Sequence, residues 1–255
     1  MSIRISAELS HLCPLDEVIS HATALEAQGF YRVWIPDTVV SAWEAWMAAS
    51  LILQHTQRLQ VGLGVTNPYT RHPVVVAQMA ATLQVYSGGR LAMSLGRGIG
   101  IFHEPSKVVD SLFGEARHLT EFGVANCQLG FERSRGIARF LDKAGVTQRE
   151  TAVEECAAMG PSGWASAMRV GDGVATVWRE ALAETRLKFM AERVIPSAVL
   201  IPFAQSRPDF FARCIATLEQ LEQRVEVLEA AGFDEVIVAY AEMADLRTAA
   251  QLVST

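Results

Sequence analysis

The run Gly62-Leu63-Gly64-Val65-Thr66-Asn67-Pro68-Tyr69-Thr70-Arg71-His72-Pro73 is the densest stretch of chemically useful groups in the chain. Two glycines inside an otherwise apolar strand weaken it and mark a place where a ligand or a neighbouring backbone comes close. Asn67-Pro68 starts a turn, and Arg71 and His72 bring two donors to the rim beyond it. The same residues also suit a plain strand end leading into a helix with proline in its first turn. His72 contacts a ligand in the first case and the backbone or water in the second. Gly96-Arg97-Gly98-Ile99-Gly100 offers backbone N–H groups and a guanidinium. Its spacing fits neither a Walker motif nor a GxGxxG fingerprint. Gly160-Pro161-Ser162-Gly163 precedes a helical pattern, and free N–H groups at a helix N-terminus attract phosphate. A tight turn would use the same four residues. The histidines and cysteines show no metal-ligand spacing, so no metal is expected.

These groups need a frame, and the chain alternates strand and helix from its first residues. Strand patterns fall at Ile3–Leu9, Tyr31–Pro36, Leu59–Val65 and Leu91–Leu95. Helical patterns fall between them at Leu15–Gly29, Trp43–His55 and His72–Tyr86. Such βα units with short loops imply parallel strands joined by right-handed crossovers. An open doubly wound sheet would carry a nucleotide fingerprint after the first strand, and none is there. The rhythm continues to the C-terminus, which favours a closed barrel. Ser197–Phe203 and Asp234–Tyr240 are clear strands, while Thr151–Ala158 and Gly173–Val177 are weak candidates needed to reach eight. Helices are expected over Phe113–Phe122, Gly136–Lys143, Arg179–Arg193 and Ala241–Val253, and a long helix or helix pair over Pro208–Ala231, with residues 101–153 as an excursion on the rim. The expectation is one (β/α)8 TIM-barrel domain over 1–255, with trimmed or irregular βα units in its second half.

Four segments together resemble the luciferase-like monooxygenase superfamily of flavin and deazaflavin enzymes. They are Trp34-Ile35-Pro36-Asp37, the Gly62–Pro73 run, Ser87-Gly88-Gly89-Arg90 with Ser94-Leu95-Gly96-Arg97-Gly98, and Gly160-Pro161 with Gly171-Asp172-Gly173. The nearest branch is the F420-dependent reductases of the methylenetetrahydromethanopterin reductase type, of which this chain resembles a shortened member. The resemblance implies coenzyme F420 or FMN at the C-terminal strand ends, and hydride exchange with a small substrate such as a C1-carrying pterin. It makes Glu8 and Asp37 the catalytic candidates, with Glu8 facing the ring as proton donor. A carboxyl in an apolar mouth has the raised pKa that role needs. Asp37 alternatively caps the segment after it. Many F420 enzymes follow that aspartate with histidine; here Thr38 stands there, which shifts weight toward FMN. The implied cofactor contacts are Gly64, Val65, Thr66, Asn67, His72, Gly96, Arg97, Gly98, Gly160 and Pro161. A non-prolyl cis peptide at Gly64–Val65, bulging against the ring, is implied as well. An FMN monooxygenase served by a separate flavin reductase, or a non-catalytic flavin-binding partner subunit, are the rival readings.

Composition narrows the partners. Half of the 255 residues are hydrophobic, and the formal net charge is −6. That balance excludes the basic footprint of a nucleic-acid binder or an anionic-membrane binder. No apolar run reaches transmembrane length, and acidic residues interrupt the N-terminal stretch where a signal peptide would lie. The four cysteines are widely spaced and read as reduced thiols, so a cytoplasmic protein is expected. Trp43, Trp46 and Met47 on an all-round apolar helix suggest a homodimer face. A flavin reductase or F420-reducing protein would supply electrons.

Overall fold

The computed structural model describes residues 2–9, 13–37, 43–66, 71, 73–95, 153–157, 164–165, 167–168, 173–179, 182–190, 194–203, 215 and 217–254. The strands are β1 Arg4–Glu8, β2 Arg32–Ile35, β3 Gln60–Thr66, β4 Leu91–Leu95, β5 Val153–Ala157, β6 Gly173–Val177, β7 Ser197–Pro202 and β8 Glu235–Ala239. They pair in chain order, all parallel, and β8 closes on β1 through Arg4↔Glu235 to Ala7↔Val238. Both weak strand candidates are therefore real. The helices are α1 Val18–Ala27, α2 Ala45–His55, α3 Pro73–Ser87, α4 Leu182–Phe189, α5 Leu218–Ala230 and α6 Met243–Ala249.

Strand alternation sorts the side chains into two cores. Ile5, Ala7, Val33, Ile35, Val61, Leu63, Leu91 and Met93 point outward and pack with Val18, Ala22, Leu25, Ala49, Ile52 and Leu53 of the helices. Trp34, Ala92, Ala198 and Ile237 point inward and fill the barrel. Trp34 is the bulk of that filling, and β3 makes room for it. A Cβ on Gly62 or on Gly64 would stand 2.4 Å from the indole Cε3, well inside contact distance. The indole Nε1 donates to Glu235 Oε1 at 2.8 Å, and Arg32 Nη1 donates to Glu235 Oε2 at 2.9 Å. The carboxylate thus meets the requirement that a buried charge be paired and hydrogen-bonded.

Local signals end the helices. Gly29 follows α1 at φ +85°, a conformation glycine adopts without steric cost. Glu44 caps α2 by accepting from Met47 N–H at 2.7 Å, and Thr217 caps α5 through Gln220 N–H at 3.2 Å. Arg90 spends its guanidinium at the bottom of the barrel, donating to the carbonyls of Leu53 and Leu59 and to Thr56 Oγ1. The Ser-Gly-Gly-Arg sequence is thus a clamp on the C-terminal end of α2.

Of the two readings of 208–231, a single continuous helix is excluded: Ile215 bridges to Phe203 in parallel, Thr217 caps, and α5 starts at Leu218. The expected excursion and helices within 101–150 lie outside the described residues. So do the segment after β4 and most of the one after β7, which bear on the trimmed or irregular βα units expected in the second half. Among the described residues no helix is long and apolar enough to cross a membrane.

Candidate active site

The C-terminal ends of β1, β2, β3, β4 and β8 bring together Glu8, Asp37, Gly64 to Thr66, Ser94 and Tyr240. Glu8 ends β1 on its inward face, alternating with the outward Ala7 and Leu9, and it is 5% exposed. Burial pushes its carboxyl up to about 7, against the opposing effect of a hydrogen bond from the Tyr240 backbone. Tyr240 turns out of β8 at φ +59°. Burial and the nearby Glu8 charge push its phenol up to about 12.

Asp37 sits just past β2 and is buried, but it is not alone. Its Oδ2 accepts from Thr66 Oγ1 at 2.7 Å and from Arg71 Nη1 at 2.6 Å, and its Oδ1 accepts from Arg71 Nη2 at 3.2 Å. Arg71 also reaches Glu44. Burial opposes the Arg71 charge, yet Asp37 and Glu44 outweigh it and hold the guanidinium above its ordinary pKa. This network ties the ends of β2 and β3 to the start of α2. Both carboxylate oxygens of Asp37 are thus engaged, which commits the side chain to holding these elements together.

The Gly64–Val65 peptide is cis. The β3–β4 register slips there, pairing Gly64 with Ser94 and then Thr66 with Leu95. Ser94 follows the inward Ala92 by two and the outward Met93 by one, so its side chain enters the barrel. It is 1% exposed, and among the described residues its hydroxyl has no hydrogen-bond partner. Asn67, His72, Gly96, Arg97, Gly98, Gly160 and Pro161, all expected as cofactor contacts, lie outside the described residues.

The sequence reading missed Ser94, Tyr240 and the Glu44–Arg71 link. Ser94 carried one available signal, a small polar residue at an inward position near a strand end. Cys13, just before α1, has its Sγ 3.1 Å from His21 Nδ1, while His21 Nε2 lies 3.2 Å from Glu17. Burial, with Glu17 and Asp16 adding, pushes that thiol up to about 11, so it is no thiolate at neutral pH. Among the described residues no cluster of histidine, cysteine and carboxylates could hold a metal ion.

The sequence pattern of the family described as luciferase-like monooxygenase matches residues 1–194. Over 85 residues the chain is 34% identical to a 5,10-methylenetetrahydromethanopterin reductase of Methanolobus tindarius, a match covering 33% of this chain and 26% of that protein. It is 35% identical over 92 residues to an F420-dependent hydroxymycolic acid dehydrogenase of Mycobacterium tuberculosis, covering 32% and 25%. These matches span about a quarter of the relatives' own length. The solved coenzyme F420 dependent tetrahydromethanopterin reductase of Methanopyrus kandleri superposes with a TM-score of 0.75 at 16% identity, covering 98% of each chain.

Proposed function

Because the chain belongs to the luciferase-like monooxygenase family, we propose that it is an oxidoreductase that exchanges a hydride between coenzyme F420 or FMN and a small substrate. The observation that carries this reading is Glu8, a buried carboxyl at the barrel mouth that holds its proton to about pH 7. A C1-carrying pterin is the substrate class that the reductase relatives suggest.

The residues present suit a flat aromatic cofactor. Above the Trp34 indole, which fills the space a Gly64 side chain would take, Ser94 offers a hydroxyl without a partner among the described residues, and Glu8 offers a carboxyl that keeps its proton to about pH 7. When bound, the cofactor supplies two-electron chemistry that no side chain of this protein provides. Glu8 holds a proton at its carboxyl for delivery to the reacting molecule. The Tyr240 backbone then stabilises the carboxylate left behind. Asp37, Arg71 and Thr66 hold the ends of β2 and β3 at fixed spacing beneath the mouth. Asp37 thereby serves as an anchor between these elements. The barrel filling under Gly64, chiefly Trp34, excludes water from below.

Thr38, in the position where many F420 enzymes carry histidine, supports FMN as the alternative cofactor. With FMN the same site suits a monooxygenase fed by a flavin reductase. Reconstitution decides between them. The purified protein is incubated with each cofactor, separated from excess, and its absorbance recorded. Retention of one cofactor assigns it, and retention of neither removes the oxidoreductase reading. In the reconstituted enzyme, Glu8→Gln is expected to keep cofactor binding and lower turnover by roughly 10²–10⁴-fold, the usual size of a general acid–base contribution. Unchanged turnover would take the proton-donor role from Glu8.

A further inference from the structure

We propose that Ser94 is a binding residue for the cofactor ring, its hydroxyl donating a hydrogen bond to a carbonyl oxygen or nitrogen on the ring's edge. The inference rests on the oxidoreductase reading above and names a contact that reading does not require.

Two hydroxyls inside the barrel, those of Ser6 and Ser94, are buried without hydrogen-bond partners among the described residues. An unpaired buried hydroxyl costs roughly 1–3 kcal/mol, so each calls for an explanation. Their places differ. Ser6 lies two residues before Glu8 and pairs with Ile237, whose side chain belongs to the apolar barrel filling. Ser94 is the second-last residue of β4 and pairs with Gly64, whose side-chain space is filled by the Trp34 indole. The neighbouring inward residues on β4 and β3, Ala92 and Gly62, carry no acceptor, and although Glu155 of β5 stands in register with Ser94, the hydroxyl has no hydrogen-bond partner among the described residues. A ring laid across the barrel mouth above Trp34, at the ends of β3 and β4, has its edge within reach of that hydroxyl. Both isoalloxazine and deazaflavin rings carry carbonyl acceptors along one edge, so the contact serves either cofactor. The hydroxyl enters the bound state without giving up a protein hydrogen bond, which makes it a preorganised donor.

The test titrates FMN and F420 separately into the wild-type protein, Ser94→Ala and Ser6→Ala, following ring fluorescence. Ligand-free melting temperature is measured for all three. Ser94→Ala is expected to melt at the wild-type temperature or above, since no protein hydrogen bond is lost. It should bind the retained cofactor about three- to tenfold more weakly, the size of one net hydrogen bond, with the bound ring's absorbance band displaced from wild type. Ser6→Ala should bind as wild type. Equal affinity of Ser94→Ala and wild type would overturn the assignment, as would equal weakening by both variants. A lower ligand-free melting temperature for Ser94→Ala would show a hydroxyl engaged within the protein and would also overturn it. Wild-type protein that binds neither ring removes the oxidoreductase reading and this contact together. That outcome is distinct from loss in the variant alone.

Discussion

Glu8 couples the site to stability as well as to chemistry. In the unfolded chain its carboxyl ionises near 4.5; in the barrel burial holds the proton to about 7. Between those values the native state binds the extra proton, so stability falls as pH rises through this window and levels off above it. At about 1.4 kcal/mol per pKa unit the swing is ~3 kcal/mol. Glu8→Gln cannot ionise and should lack the swing. Denaturant unfolding of both proteins from pH 4 to 8 should show wild type losing ground to the variant across the window. Parallel stability curves would show that burial does not raise this carboxyl. The same residue was legible as a strand-terminal acid, because β1 alternates cleanly. Its partner Tyr240 was not, since the two lie at opposite ends of the chain and meet only when β8 closes on β1.

Among the elements, β3 depends on the indole that β2 sends across it. Gly62→Ala would put a methyl 2.4 Å from Trp34 Cε3, and the ring cannot retreat while Glu235 holds its Nε1. Overpacking of this kind costs about 1–3 kcal/mol. In a double-mutant cycle, Trp34→Phe should relieve part of that cost, giving a non-additive pair. Strict additivity would mean that the ring does not bear on β3. The glycines of β3 were readable in advance as a close approach, but what approaches them was not. Periodicity reports which face a residue takes, not which neighbour meets it. For the same reason the bond between Arg32 and Glu235, 203 residues apart, left no local trace. The β5 sequence Val-Glu-Glu-Cys-Ala has little strand character of its own, and it counted only because eight strands close a barrel. Ile215, apolar and within the helical pattern, is instead buried by a bridge to Phe203, a cause of burial that spacing alone does not distinguish from a helix face.

At the scale of the whole molecule, the apolar α2 is mostly used up within the protomer. Trp46 is buried, and Trp43 is partly buried with its Nε1 donating to the Cys13 carbonyl. Trp46 is therefore not available to the dimer face that the sequence suggested. What α2 leaves outside is Met47 at 68% exposure and Leu51 at 36%, with Val75 of the adjacent α3 at 44%. If this strip is a subunit interface, light scattering at micromolar concentration gives the mass of two chains and Met47→Glu returns it to one. A one-chain mass for wild type would show the strip to be ordinary surface. Trp34 carries a further, optical consequence. It is one of five tryptophans and is 2% exposed, locked beneath the backbone of Gly64. An indole sheltered from water emits to the blue of an exposed one, and a flavin or deazaflavin ring absorbs in that region. A ring seated on Gly64 would take the excitation of Trp34 by energy transfer at close range. Filling of the barrel mouth should therefore dim the protein's own blue emission, and the Trp34→Phe protein should lose the largest part of that response.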